Sequence, residues 1–186
     1  MTQTITHINE LVDRCRHGDQ RAQMEIYERY HKAMYNTALR ITRHPAEAED
    51  VMQEAFLSAF TKIESFQGTS TFGAWLKRIV VNESISAYHK KEKLSEVSYN
   101  DELKNEVDDG GLALDSEDRN NEKVRIILYQ MEKLKPNYRL ALTLHLIEGY
   151  DYDEICEIMD ISYANCRTTV SRAKESLRKN LQHYEN

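Results

Sequence analysis

Apolar residues recur along this chain at three- and four-residue steps, the spacing of one helix face. Cys166, Val170, Ala173, Leu177 and Leu181 step by four, three, four and four, so all five fall on one stripe. Met24, Tyr27, Tyr30, Met34, Ala38 and Ile41 form a similar series upstream. No β-branched run alternates with polar residues as a half-buried strand would, and only 6 glycines and 2 prolines interrupt 186 residues. The pattern predicts an all-α protein.

Helix-breaking residues set the expected boundaries. A first helix is expected from about Ile5 to His17, stopped by Gly18. A second runs from about Gln20 to Arg43 and breaks at His44-Pro45, because proline suits a helix's first turn but not its interior. The third, about Ala46 to Ile63, opens on Glu47, Glu49 and Asp50, carboxylates that favour the positive end of a helix. The loop ESFQGTS leads into a fourth, about Thr71 to Lys90. Further on, a helix from near Glu122 to Leu134 breaks at Lys135-Pro136, and another reaches about Glu148.

The stretch DYDEICEIMDISYANCRTTVSRAKESL follows. Ile155, Ile158, Met159 and Ile161 mark one apolar face ahead of the Cys166 stripe. Between them Asp160-Ile161-Ser162 reads as a three-residue turn, with Ser162 a natural N-cap and Asp160 tolerant of left-handed backbone. Two short helices joined so tightly cross steeply, as in a helix-turn-helix.

Charge changes the picture by where it lies. Residues 1–93 carry 13 Lys+Arg against 12 Asp+Glu, residues 94–122 carry 2 against 10, and residues 123–186 carry 10 against 9. The net −6 therefore belongs to the middle segment, and neither flank is barred from nucleic acid. Residues 94–122 have few large apolar side chains and a Gly110-Gly111 pair, the composition of a flexible acidic linker. Its reach would be roughly 30 Å as a coil and roughly 95 Å when taut. Two small helical domains, 1–93 and 123–186, are expected on either side.

Three faces carry candidate chemistry. The second helix of the helix-turn-helix shows Asn165, Arg167, Thr168, Ser171, Arg172 and Lys174 away from its apolar stripe. Such side chains bond base edges and phosphates, and a helix fits the major groove. Asp50, Gln53 and Glu54 share one helix face at i, i+3 and i+4, which by itself reads as ordinary solvation. Phe66, Phe72 and Trp75 surround the loop Gln67-Gly68-Thr69-Ser70-Thr71, with Lys77, Arg78, Lys90 and Lys91 nearby. Rings beside cations suit single-stranded nucleic acid, although Phe72 and Trp75 are expected to belong partly to the core.

The stretches AEAEDVMQEAFLSAFTKIESFQGTSTFGAWLKRIVVNESISAYHKK and PNYRLALTLHLIEGYDYDEICEIMDIS, in that order around an acidic linker, resemble bacterial RNA polymerase sigma factors. The likeness is to the extracytoplasmic-function (ECF) group of the sigma-70 family, and it covers nearly the whole chain. It implies a region 2 domain at 1–93 for core polymerase and the −10 promoter element, and a region 4 domain at 123–186 for the −35 element. It further implies that Asp50, Gln53 and Glu54 dock on the β′ clamp helices, with the β flap a second contact of core polymerase. A pocket for a flipped −10 base is implied around Phe66, Gln67, Gly68, Thr69, Ser70, Thr71, Trp75, Arg78 and Asn82. The −35 readers would be His145, Asn165, Arg167, Thr168, Ser171, Arg172 and Lys174. Ala164 stands where the family usually has glycine, and Thr169 where arginine is common.

The expected partners are thus core RNA polymerase and promoter DNA, with an anti-sigma factor as a further candidate. A helix-turn-helix regulator that binds duplex DNA without polymerase is the competing reading. There is no Gly-rich phosphate loop, metal-ligand cluster or nucleophile–base signature, so no catalytic residue, metal or cofactor is expected. Cys15, Cys156 and Cys166 read as small buried apolar residues. The N-terminus carries no basic apolar signal, and no apolar run approaches the roughly 18 residues that span a bilayer, so a soluble cytoplasmic protein without membrane insertion is expected.

Overall fold

A computed structural model describes residues 2–97 and 122–185 of the chain. It divides into two compact units, Met1–Asp108 and Asp109–Asn186. All regular structure among the described residues is helical.

The first unit holds α1 (Thr2–Arg16), α2 (Gln20–Thr42), α3 (Pro45–Thr61), a 3-10 turn at Ile63–Ser65, and α4 (Phe72–Val97). Gly18 takes a left-handed φ of 77°, which ends α1, and Asp19 caps α2 by accepting hydrogen bonds from the Arg21 and Ala22 amides. The Arg14 guanidinium, first, and these amides hold the Asp19 carboxyl below its usual range. Arg43 ends α2 in a left-handed conformation, and Pro45 opens α3. Helices α2, α3 and α4 pack mutually, α1 lies against α2 and the 3-10 turn, and Leu11, Ile26, Ile41, Leu76 and Val80 are fully buried at the centre. Burying each such side chain contributes roughly 1.5–3 kcal/mol.

Two expectations are corrected here. Met24 does not belong to the buried stripe of α2: it is 58% exposed, while Ala22 and Ile26 are completely buried. At about 100° per residue, Met24 lies opposite the face those two share. Helix α4 also continues to Val97, past the expected boundary at 93, because Leu94, Glu96 and the lysines before them are good helix formers whatever their net charge. The rest of the expected linker, residues 98–121, lies outside the described residues.

The second unit holds α5 (Glu122–Glu132), α6 (Pro136–Leu142), a π-helical segment at Thr143–Ile147, α7 (Tyr152–Met159) and α8 (Tyr163–Glu185). Arg139, Leu140, Ala141, Leu142, Thr143 and Leu144 are all buried, more than a full turn, so the chain is enclosed on every side from Arg139 to Leu144, while Pro136 and Asn137 at the start of α6 and Leu146 after it are exposed. Helix α8 packs against α5, α6 and α7 through Cys166, Val170 and Ala173, each completely buried, and Leu177, 8% exposed. The stripe expected from periodicity is therefore the contact surface from Cys166 to Leu177, while Leu181, its last expected member, is only half-buried.

Candidate nucleic-acid interfaces

The turn between α7 and α8 is built by caps. Asp151 and Glu154 form a reciprocal capping box at the start of α7, each side chain bonding the other's backbone amide at 2.9 Å. Asp160 ends α7 at φ 51°, a conformation that Asp tolerates. Ser162 Oγ then accepts from the Asn165 amide at 3.3 Å and caps α8. The helix-turn-helix expected at Asp160-Ile161-Ser162 is present.

On α8, Asn165, Arg167, Thr168, Ser171 and Arg172 are exposed and Lys174 is half-buried. At about 100° per residue, Asn165, Thr168, Ser171 and Arg172 share the outward arc opposite the Cys166 stripe, while Arg167 and Lys174 border it on one flank. Neither Arg167 nor Arg172 is paired with a carboxylate among the described residues. Glu175, one turn further along that arc, is bound by Lys179 at 2.8 Å, which holds its carboxyl below the usual range. Arg167 and Arg172 thus carry uncompensated positive charge in the first turns of α8, ahead of that pair.

His145 sits in the π-helical segment, half-buried, and donates Nδ1–H to the Tyr150 carbonyl at 3.1 Å, since a carbonyl can only accept. Its ring leans on Tyr152 at 5.1 Å, and Tyr152 meets Tyr163 edge-on at 6.2 Å. Tyr163, 51% exposed at the first position of α8, was missed in the sequence. By helical period Tyr163 is in phase with the Cys166 stripe, so only its place at the first position of the helix could have marked it as exposed.

In the first unit Asp50, Gln53 and Glu54 are all exposed on α3, and Gln53 Nε2 donates to Glu49 Oε1 at 3.4 Å. Leu57 extends this face and is 63% exposed. It too was missed, although it falls off the buried series Ala48, Val51, Met52, Ala55, Phe56 and Ala59.

The loop after α3 is framed by rings. Phe66 and Phe72 are buried and meet edge-on at 5.5 Å, and Trp75, half-buried, lies 5.4 Å from Phe66. The Phe66 ring is thus part of the wall and offers no open face for a base. Its carbonyl accepts from the Arg16 guanidinium, which ties α1 to the start of the loop. Gln67, Gly68, Thr69, Ser70 and Thr71 are exposed, with Gly68 at φ 71°. Thr71 Oγ1 caps α4 by accepting from the Ala74 amide at 3.2 Å. From there Thr71, Trp75, Arg78 and Asn82 step along one face of α4, with Asn82 exposed and Arg78 half-buried. The side chain of Lys91 lies outside the described residues.

Cys15 and Cys166 are buried thiols, each pushed up to about 11 chiefly by burial, and Cys156 is half-buried beside Cys166. Among the described residues no cluster of His, Cys, Asp and Glu could hold a metal ion, and no helix is long and apolar enough to cross a membrane.

Comparison with known proteins extends these observations. Residues 26–94 match the Sigma-70 region 2 family, and residues 125–177 match Sigma-70, region 4. The ECF RNA polymerase sigma-E factor of Escherichia coli K12 is 33% identical over 181 residues, covering 92% of this chain and 93% of that protein. The RNA polymerase sigma-H factor of Pseudomonas aeruginosa is 30% identical over 179 residues, covering 93% of each. In fold, the chain resembles the sigma factor RpoE of Bartonella quintana, solved with the anti-sigma factor NepR, with a TM-score of 0.60 at 21% identity over 86% of this chain and 96% of that one. It also resembles CnrH, solved with the cytosolic domain of CnrY, with a TM-score of 0.54 at 20% identity over 93% of this chain and 96% of that one.

Proposed function

The chain belongs to the ECF group of the sigma-70 family, promoter-recognising partners of core RNA polymerase, and on that premise we propose how its surfaces divide the work. The unit that runs to Val97 and the unit that begins at Glu122 act as two modules joined by the acidic segment between them. Asp50, Gln53 and Glu54, with Leu57 beside them, dock on the β′ clamp helices, and the second module meets the β flap. The loop Gln67–Thr71 with Trp75, Arg78 and Asn82 receives an unstacked base of the −10 non-template strand, with Phe66 and Phe72 forming the wall behind it. Extruding a base costs a few kcal/mol, which stacking on Trp75 and bonds to Asn82 would offset. The outward arc of α8, with His145 beside it, reads the −35 element.

The protein does no chemistry of its own: it lowers the free energy of the melted promoter by binding it, and polymerase supplies the catalysis. It acts where core polymerase acts, in the cytoplasm. An anti-sigma partner is proposed because the solved relatives RpoE and CnrH were captured with NepR and CnrY.

The observation that carries this reading is the outward arc Asn165, Thr168, Ser171 and Arg172, polar and exposed opposite the buried stripe Cys166, Val170, Ala173 and Leu177. Core polymerase with this protein should initiate on a cognate promoter, and neither component should do so alone. Tight, sequence-specific binding to duplex DNA without polymerase, combined with no initiation, would establish a conventional helix-turn-helix regulator instead.

A further inference from the structure

Thr168 and Thr169 are neighbours on α8, yet their hydroxyl protons go to different places. Thr168 Oγ1 donates to the Ala164 carbonyl at 2.8 Å, the usual outlet of a threonine inside a helix. Thr169 Oγ1 donates instead to the side-chain oxygen of Asn165, four residues back, at 3.2 Å. Asn165 is exposed on the outward arc, and Thr169 is half-buried beside it. A β-branched side chain in a helix has few χ1 options, so the hydroxyl is held in place beside the amide.

We propose that Thr169 decides which base Asn165 reads in the −35 element, an inference that rests on the assignment of α8 to that element. An asparagine that recognises adenine uses both ends of its amide: Oδ1 accepts from the adenine N6 amino group while Nδ2 donates to N7. Here the Thr169 hydroxyl draws Oδ1 toward the next, C-terminal turn of the helix, which leaves Nδ2 with its two hydrogens as the leading edge. A donor-only edge fits a base that shows acceptors alone. Guanine does so with N7 and O6 side by side, whereas the adenine amino group would meet Nδ2 donor to donor. Asn165 therefore acts as a short, neutral counterpart of the basic side chains that usually select guanine. Thr169 touches no DNA in this scheme and is a positioning residue.

The test uses holoenzyme assembled from core polymerase and the full chain, with duplexes randomised across the −35 element and a fixed −10 element. Sequencing of bound DNA gives base preference position by position. Asn165→Ala identifies the position that Asn165 reads, where the wild type should favour guanine over adenine. Thr169→Val keeps the shape and removes the hydroxyl, so at that position alone the guanine-to-adenine ratio should fall by about tenfold or more. Thr169→Ser, which can donate to the same oxygen, should keep the wild-type ratio. An unchanged profile for Thr169→Val, a uniform loss across all sequences, or a Thr169→Ser profile matching Thr169→Val would overturn the proposal. So would an Asn165→Ala variant that alters no position. A wild-type holoenzyme indifferent to every −35 base would instead overturn the reading of α8 itself. Matching thermal melts of the Thr, Val and Ser proteins establish that each is folded.

Discussion

Gly73 lies directly against the ring of Tyr30: a Cβ added to Gly73 would come 3.0 Å from Cε1 of that ring. The ring has little room to retreat, because it also meets buried Phe72 at 5.8 Å. Gly73→Ala should therefore cost stability. The steric penalty of about 1–3 kcal/mol outweighs the gain of up to about 1 kcal/mol from replacing a helical glycine. A net loss of about 1 kcal/mol should appear in thermal unfolding, with weaker binding of −10 non-template oligonucleotides by the holoenzyme. A stabilised variant would mean that the Tyr30 ring swings aside freely.

The exposed face of α3 can be tested without disturbing the core. Gln53→Ala with Glu54→Lys, or Leu57→Ser alone, should leave helicity by circular dichroism unchanged, since exposed changes usually stay within about 0.5 kcal/mol. Each variant should pull down less core polymerase, with affinity lower by about tenfold if a buried contact is lost. Wild-type recovery of core by both variants would remove this face from the interface.

On α8 the arc and the flank should behave differently. Arg172→Ala, on the outward arc, should cost about 1–3 kcal/mol and relax selection at one −35 position. Lys174→Ala, on the flank, should weaken all sequences alike and lower the salt dependence by about one counterion, as loss of a phosphate contact does. Arg167→Ala, on the same flank, should follow Lys174. Titrations over several salt concentrations on a −35 panel separate the two behaviours.

Thr143 offers a stability test of the second unit. Its side chain is 1% exposed, and its hydroxyl finds no hydrogen-bond partner among the described residues. Thr143→Val replaces that buried hydroxyl with a methyl group of the same shape, so stability should rise by about 1 kcal/mol. Calorimetry should place the transition of this unit several degrees higher.

Local punctuation made much of this fold legible in the sequence. Gly18, Pro45, Pro136 and the Asp160-Ile161-Ser162 turn each impose a backbone conformation, and helices end or begin at all four. The stripe from Cys166 to Leu177 was readable because burial follows helical period. Met24 was misplaced because α2 packs on several neighbours, and period alone does not say which face is innermost. The π-helical segment at Thr143–Ile147 has no marker in residue type, since it arises from a shift in backbone pairing such as the Glu148 amide to the Thr143 carbonyl. The burial of Phe66 was equally hidden: its ring is fixed by partners in α4, and composition alone could not separate wall from stacking face.

The burial of α6 from Arg139 onward bears on how small a stable form of the second unit can be. Pro136–Leu142 is seven residues long, and isolated helices shorter than about 12–15 residues are marginal in water. It forms because its neighbours bury Arg139 to Leu142, and α8 in turn buries its apolar stripe partly on α6. Each element is thus a folding template for the other, which makes the unit cooperative. A peptide containing only α7 and α8 would expose that stripe to water and lose the geometry that aims Asn165 and Arg172. Excised for engineering or grafted onto another scaffold, the minimal transferable module begins at α5, which also packs on α8, although every residue proposed to face DNA lies well beyond it.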